Sequence, residues 1–203
     1  MPVIDLLFPV QGGPVPLDHG YLLFSALSRH IPALHERTDI GVFSLRGVSN
    51  TRELLYLGRG TLRLRCSTEA VAALLPLVSA PLEVAGRRLS LGAPSLYALE
   101  PVASLSARLV TFKHAMDEAS FITAASKSLA VLGIQATLKV GRRRIVRIAG
   151  KKVVGFALEL HGLSAEHSLL VQEHGLGGRR HMGCGLFLPP GRAARVQSRG
   201  EAA

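Results

Sequence analysis

Two stretches of this chain have the composition to handle phosphate. Residues 175–187 read GLGGRRHMGCGLF, with five glycines in thirteen positions and two adjacent arginines. Glycine loses more backbone freedom on folding than any other residue, so this density needs a reason. Successive N–H groups in a glycine-rich turn form a concave nest for an anion. Gly175, Gly177, Gly178, Gly183 and Gly185 could supply that backbone, while Arg179 and Arg180, with His181 beside them, add charge-assisted donors. The plain alternative is a connection that needs positive φ. A dinucleotide-binding loop fits poorly, because that fingerprint follows a strand and opens a helix. The second stretch, KVGRRRIVRIAGKK at 139–152, carries Arg142, Arg143, Arg144, Arg147, Lys151 and Lys152 in addition to Lys139. A basic run is often only a solvated face. Here it coincides with a formal net charge of +10, which points to a polyanion, most naturally a nucleic acid.

Eight histidines are the remaining candidates for reactivity. None has the HExxH or a comparable metal-ligand spacing, cysteines are only two and far apart, and carboxylates are few. Zinc and two-metal phosphodiester chemistry are therefore not expected, and no cofactor is implied. Nuclease chemistry without a metal favours RNA, whose 2′-hydroxyl can attack its own phosphodiester with a histidine as general base or acid. In the first half of the chain His19, His30 and His35 are the candidates; His19 has a bland alternative as a first-turn residue after Asp18.

Positioning these groups requires two similar sets of elements. VIDLLF (3–8) reads as a strand, and a helix follows with Asp18 as N-cap and Pro32 forcing its end. Leu23, Phe24, Leu27 and Ile31 share one face of it, with Tyr21, Ser25 and Ser28 on another. IGVFSLRGV (40–48) and TLRLRC (61–66) read as strands, EAVAALLPL as a short helix capped by Thr68, and LEVAGRRLSLG as a hairpin. The order then repeats. LSARLVTFKH is a strand; DEASFITAASKSLAVLGI is a helix with a stripe of Ile122, Ala125, Leu129 and Leu132 and a stop at Gly133. ATLKV, RIVRI and KVVGFALEL are strands, the last entered through the turn Ala149-Gly150. A helix capped by Ser164 follows, then the glycine-rich loop and a last strand, CGLFL. Two successive βαββαβ units predict an α+β fold of tandem ferredoxin-like domains. The expected division is 1–98, then 99–190 with the loop, then a flexible tail over 191–203. The architecture hosts many functions and decides none.

The bulk properties narrow the field further. At 203 residues, 48% hydrophobic and 19% charged, the chain can bury a core and is not disordered. Two cysteines without CxxC spacing imply reduced thiols and a cytoplasmic setting. No apolar run reaches membrane-spanning length and no secretory signal opens the sequence, so no membrane partner is expected. Aromatics at 5% argue against base stacking as the main grip on RNA.

The spacing Gly175-Leu-Gly177, five residues containing Arg179 and Arg180, then Gly183-Cys-Gly185 resembles GhGxxxxxGhG, the C-terminal signature of the CRISPR repeat-RNA processing endoribonucleases (the Cas-six family of the RAMP superfamily). With the tandem fold, the resemblance covers residues 3–190, and the DHGY start and GLGGRR loop resemble its compact myxobacterial-type subgroup. The resemblance implies metal-independent cleavage within each repeat, with a 2′,3′-cyclic phosphate on one product and a 5′-hydroxyl on the next. It implies CRISPR repeat RNA and mature guide RNA as partners, together with other effector-complex subunits. It places the general base at or just after the first helix, which matches His35, with His19 as competitor. It also implies a tyrosine on the helix and a lysine shortly after the histidine, and this chain departs from both: the helix carries Ser25 and Ser28 where such a tyrosine would lie, with Tyr21 nearby, and no lysine follows His35 before Arg37 and Arg46. A non-catalytic RNA-binding subunit, or a ferredoxin-like protein whose charge serves solubility, are the competing readings.

Overall fold

The computed structural model describes residues 2–193, and the chain divides into two compact units at Ala98/Leu99. In the first unit β1 (Val3–Gly12) buries Leu6, Phe8 and Val10 on one face, the period-two alternation of a half-buried strand. It is followed by β2 (Val15–Pro16), α1 (Gly20–His30), β3 (Gly41–Val42), β4 (Ser49–Asn50), β5 (Leu54–Tyr56) and β6 (Gly60–Ser67). After α2 (Val71–Leu74) come β7 (Leu82–Val84), β8 (Arg87–Leu91) and β9 (Ser95–Ala98). The main sheet runs β3-β6-β1-β8-β7, the strand order of a ferredoxin-like βαββαβ unit, while β9 pairs with β1 over Ile4–Leu7 and β2, β5 and β4 form a small separate sheet.

The second unit contains β10 (Ser104–Val110), α3 (Glu118–Val131), β11 (Thr137–Ile148), β12 (Lys151–His161) and α4 (Ala165–His174), with sheet order β10-β12-β11. Its core joins Leu105, Ala107, Phe156, Leu158 and Leu160 of the sheet to Phe121, Ala125 and Leu129 of α3 and Val171 of α4. Tandem ferredoxin-like architecture is therefore the fold observed.

Several local expectations shift. Asp18 does not cap α1: His19 occupies the N-cap position, without a side-chain capping bond. Thr68 likewise lies inside its 3₁₀ turn, with Ser67 at the cap position. The stripe of α3 holds at Ala125, Leu129 and Leu132, but its first member is Phe121, fully buried, in place of Ile122, which is 40% exposed. IGVFSLRGV pairs as a strand only at Gly41–Val42, with a further isolated bridge from Arg46 to Thr61. The expected last strand CGLFL is reduced to one bridge, Ser106 to Leu188, because Gly183 and Gly185 both adopt positive φ that a strand does not tolerate. Cys66 and Cys184 are buried free thiols, and burial pushes Cys66 up to about 11. The proposed tail over 191–203 falls largely outside the described residues.

The face of β6 opposite its leucines is not solvated, despite its arginines. Arg65 is fully buried and gives Asp5 of β1 two hydrogen bonds, Nε to Oδ1 at 2.7 Å and Nη2 to Oδ2 at 3.0 Å. Arg63 Nη1 adds a third to Oδ2 at 2.6 Å. The guanidiniums also lie over Phe43, at 5.9 Å for Arg63 and 5.1 Å for Arg65. One carboxylate on β1 thus answers two arginines of the neighbouring β6, and removing it leaves buried charge uncompensated. Asp5→Ala is expected to cost about 3–5 kcal/mol, measured by urea unfolding of the full chain against Asp5→Asn, which keeps the acceptor oxygen and costs less.

Candidate active site and nucleic-acid interface

The outward stripe of α1 is Tyr21, Ser25 and Arg29, spaced four apart, with Ser28 alongside. Pro32 cannot continue the helix, so α1 stops at His30 and the Ile31 amide bonds back to Leu27 O at 2.9 Å. A 3₁₀ turn, Pro32–His35, follows and is anchored by buried Leu34. This reversal returns His35 to the helix it has just left. Its ring meets Phe24 edge-to-face, with centroids 4.7 Å apart and planes at 73°. Tyr21, Phe24, Ser25, Ser28, Arg29 and His35 line a recess of about 260 Å³. The Ser28 hydroxyl donates to Phe24 O at 2.8 Å, so within the recess it presents lone pairs rather than its proton.

The turn is braced beyond His35. Arg37 makes a bidentate pair with Asp39, both bonds 2.7 Å, and Ser67 Oγ donates to Asp39 at 2.8 Å. The Arg37 hydrogen bond, with a lesser contribution from Ser67, holds the Asp39 carboxyl down at about 2. Arg37 is thereby committed to the turn, and Arg46 is half-buried, its charge disfavoured by burial. Arg29 is instead the cation that lines the recess. It was missed in the sequence, although its place in the i, i+4 series from Tyr21 was readable.

His19 is placed quite differently. It is 2% exposed, with Nδ1 2.9 Å from Pro16 O and Nε2 accepting from the Leu45 amide at 2.9 Å. A carbonyl can only accept and an amide N–H can only donate, so the ring is the Nδ1–H tautomer with both nitrogens occupied. It ties the start of α1 to two chain segments and offers no lone pair to a substrate. His30 is exposed at the helix end and does not line the recess.

In the glycine-rich loop, Gly175, Gly177, Gly183 and Gly185 all have positive φ. A Cβ on Gly175 would strike Gly185 O, one on Gly185 would strike Leu176 O, and one on Gly177 would strike Thr111 O. These glycines let backbone touch backbone. The amides of Leu176, Gly178 and Gly185 bond to Gly185 O (3.1 Å), Thr111 O (3.1 Å) and Leu109 O (2.8 Å). Gly175 and Gly185 are buried, and the loop's bonded amides are spent on closure rather than on an anion nest. Arg180 also turns inward: its Nη2 donates to Glu173 O at 2.7 Å, near the C-terminus of α4. Gly177, Gly178 and Arg179 are the exposed tip, and Arg179 itself sits in the left-handed region at φ 64°. His181 and Gly183 are partly buried in and after the 3₁₀ turn Arg180–Met182. Closure of the loop by itself accounts for Gly175 and Gly185, and the bond to Glu173 O holds one edge of the half-buried Arg180.

The basic ribbon is the β11–β12 hairpin, closed by Ala149 (φ 47°) and Gly150 (φ 77°), both in the left-handed geometry a two-residue hairpin needs. Its cations divide between two faces. Arg143, Arg147 and Lys152 lie on the side of core residue Phe156, while Arg144 and Lys151 lie on the opposite side with Gly155 and Glu159. The ribbon therefore does not present its charge as one patch. Among the described residues, no group of three or more His, Cys, Asp or Glu side chains could hold a metal ion, and no helix is long and apolar enough to cross a membrane.

Two ferredoxin-like sheets and a glycine loop closing the second define a double ferredoxin-like protein. Residues 4–192 match the family model described as Cas6 Crispr, and the chain belongs to that family. A curated relative from Myxococcus xanthus (strain DK1622), named CRISPR-associated endonuclease Cas6, is 86% identical over 203 residues, covering 100% of this chain and 88% of the relative. Among solved structures, one titled an RAMP protein binding different RNA substrates aligns at TM-score 0.65 and 11% identity, covering 92% of this chain and 98% of that one. Thermus thermophilus Cse3, titled as bound to an RNA representing a pre-cleavage complex, aligns at TM-score 0.54 and 14% identity over 93% of this chain and 98% of that one.

Two expectations test this geometry. Gly185→Ala should lose about 3 kcal/mol through strain and backbone collision, whereas Gly178→Ala, with nothing near its Cβ, should unfold with the wild type in urea. Because Asp39 is depressed in the folded protein, its contribution is present above about pH 4 and is lost as pH falls toward 2. Acid titration of stability should therefore be shallower over that interval in Asp39→Asn than in the wild type.

Proposed function

We propose that this chain is a metal-independent endoribonuclease that cleaves CRISPR precursor RNA within its repeats, leaving a 2′,3′-cyclic phosphate and a 5′-hydroxyl, and then holds its product. The observation that carries this reading is the exposed His35, fixed over Phe24 in a recess shared with Tyr21, Ser25, Ser28 and Arg29. The name and 86% identity of the Myxococcus xanthus relative support the same class of activity. His35 accepts the 2′-hydroxyl proton as the 2′-oxygen attacks phosphorus; the bond to the 5′-oxygen breaks, and that oxygen takes up a proton. Arg29 compensates the charge that develops on the phosphorane, a guanidinium being suited to charge but too basic to give up its proton. Tyr21 is the hydroxyl in the recess able to orient the nucleophile or supply the leaving-group proton. Arg179 at the loop tip and the exposed Arg142, Arg143, Arg147, Lys151 and Lys152 of the ribbon grip the RNA backbone. Retained product makes the chain a subunit of a larger effector assembly as well as an enzyme.

The test is cleavage of the cognate repeat RNA by purified protein in excess EDTA, with end-group analysis of the fragments. His35→Ala is expected to lower the single-turnover rate by about 10²–10⁴-fold at unchanged RNA affinity and unchanged unfolding midpoint. His19→Ala should instead lower the unfolding midpoint. Tight binding of RNA that stays whole with wild-type protein overturns the enzymatic reading in favour of a non-catalytic RNA-binding subunit.

A further inference from the structure

The sheet of the second unit has two irregularities at one level. β10 shifts register against β12 between Ala107 and Val110, and β11 shifts against the same strand between Val140 and Arg143. Each shift inserts one extra residue, and both fall opposite the stretch from Phe156 to Leu158, so paired bulges flank Ala157 on the central strand. Bulges re-aim side chains. The two here contain Arg108 and Arg142, both exposed. Gly141, in the second bulge, approaches so closely that a Cβ there would lie 3.1 Å from that of Ala157. The short residues at this level leave the face low. Arg144, paired with Gly155, comes from just beyond the bulge.

Arg144 is the unusual member. Its Nε is buried and has no hydrogen-bond partner among the described residues. Burial disfavours its charge most, and the guanidiniums of Arg108 and then Arg142 disfavour it further. Glu159, farther along the same face of β12, is already held by Lys139 Nζ at 3.3 Å and His161 Nε2 at 3.2 Å. Gathering like charges around a buried donor costs stability in the free protein and is relieved by a bound anion.

We propose that Arg108, Arg142 and Arg144 form one anion site, on the sheet face opposite the helices, that takes a phosphodiester of the bound RNA. The site rests on the RNA-binding reading above for its ligand, but on the bulges and the buried Nε for its existence. It separates one phosphate-reading position from the general attraction of the ribbon, since Arg147 and Lys152 lie on the other face. It also makes Arg108, outside every basic run in the sequence, part of the RNA grip.

Two measurements on the full chain test it. Anisotropy with the cognate repeat RNA across a salt series should show Arg108→Gln and Arg144→Met each binding about tenfold more weakly, with the slope of log affinity against log salt reduced by about 0.7. Thermal unfolding with added inorganic phosphate should raise the midpoint of the wild type and raise those of Arg108→Gln and Arg144→Met much less. Without phosphate, Arg144→Met should unfold at or above the wild-type temperature. Variants that bind RNA with wild-type affinity and slope, or that keep the full phosphate shift, overturn the proposal, as does an Arg144→Met destabilised with its salt slope intact. If the wild type binds no repeat RNA but the phosphate shift behaves as expected, the anion site stands and the choice of RNA as ligand falls.

Discussion

The second unit depends on two carbonyls of one strand. Leu109 O and Thr111 O, at and just past the end of β10, accept the amides of Gly185 and Gly178, while Leu176 bonds to Gly185 across the base of the loop. These contacts bring three backbone segments to distances that no Cβ permits. The loop's glycines are there because the last segment must reach the edge of β10 without becoming a full strand. The exposed tip with Arg179 is a consequence of that closure, held out by a base that is itself buried.

A similar logic runs through the first unit, where two histidines of one short region have opposite fates. His19 has both nitrogens consumed by Pro16 and Leu45 and acts as a clip. His35 is turned out by a proline-terminated helix and braced from behind by Arg37, Asp39 and Ser67. Residue type alone does not separate a histidine turned out to solvent from a structural one. Partners do, and those of His19 include an amide 26 residues away.

This explains which parts of the molecule were legible in its sequence. Features set by neighbours were: the stop of α1 before Pro32, the Ser164 cap, which accepts from the His167 amide, and the Ala149-Gly150 turn. Features set by distant partners were not. Arg65 alternates with leucines like any solvated strand residue, and its burial depends on a carboxylate 60 positions away, that of Asp5. The inward turn of Arg180 depends on where α4 ends, so two adjacent arginines could not be told apart. The glycine spacing was visible, but its physical cause is a carbonyl on another strand. In the recess the stripe of Tyr21 and Ser25 was readable from helical periodicity, whereas its continuation to Arg29 mattered only once the turn had brought His35 back over the helix.

The first strand also sets a timetable. Along one edge β1 pairs with β6 over Val3–Val10; along the other it is shared between β8 at Val10–Gly12 and β9 at Ile4–Leu7. The segment made first is thus completed by the segment made last in its unit. A growing chain carries an apolar strand with an open edge until Ser95–Ala98 has emerged, and these long-range pairings close slowly. Until β9 arrives, the β1 edge over Ile4–Leu7 is open to pairing with any other extended segment.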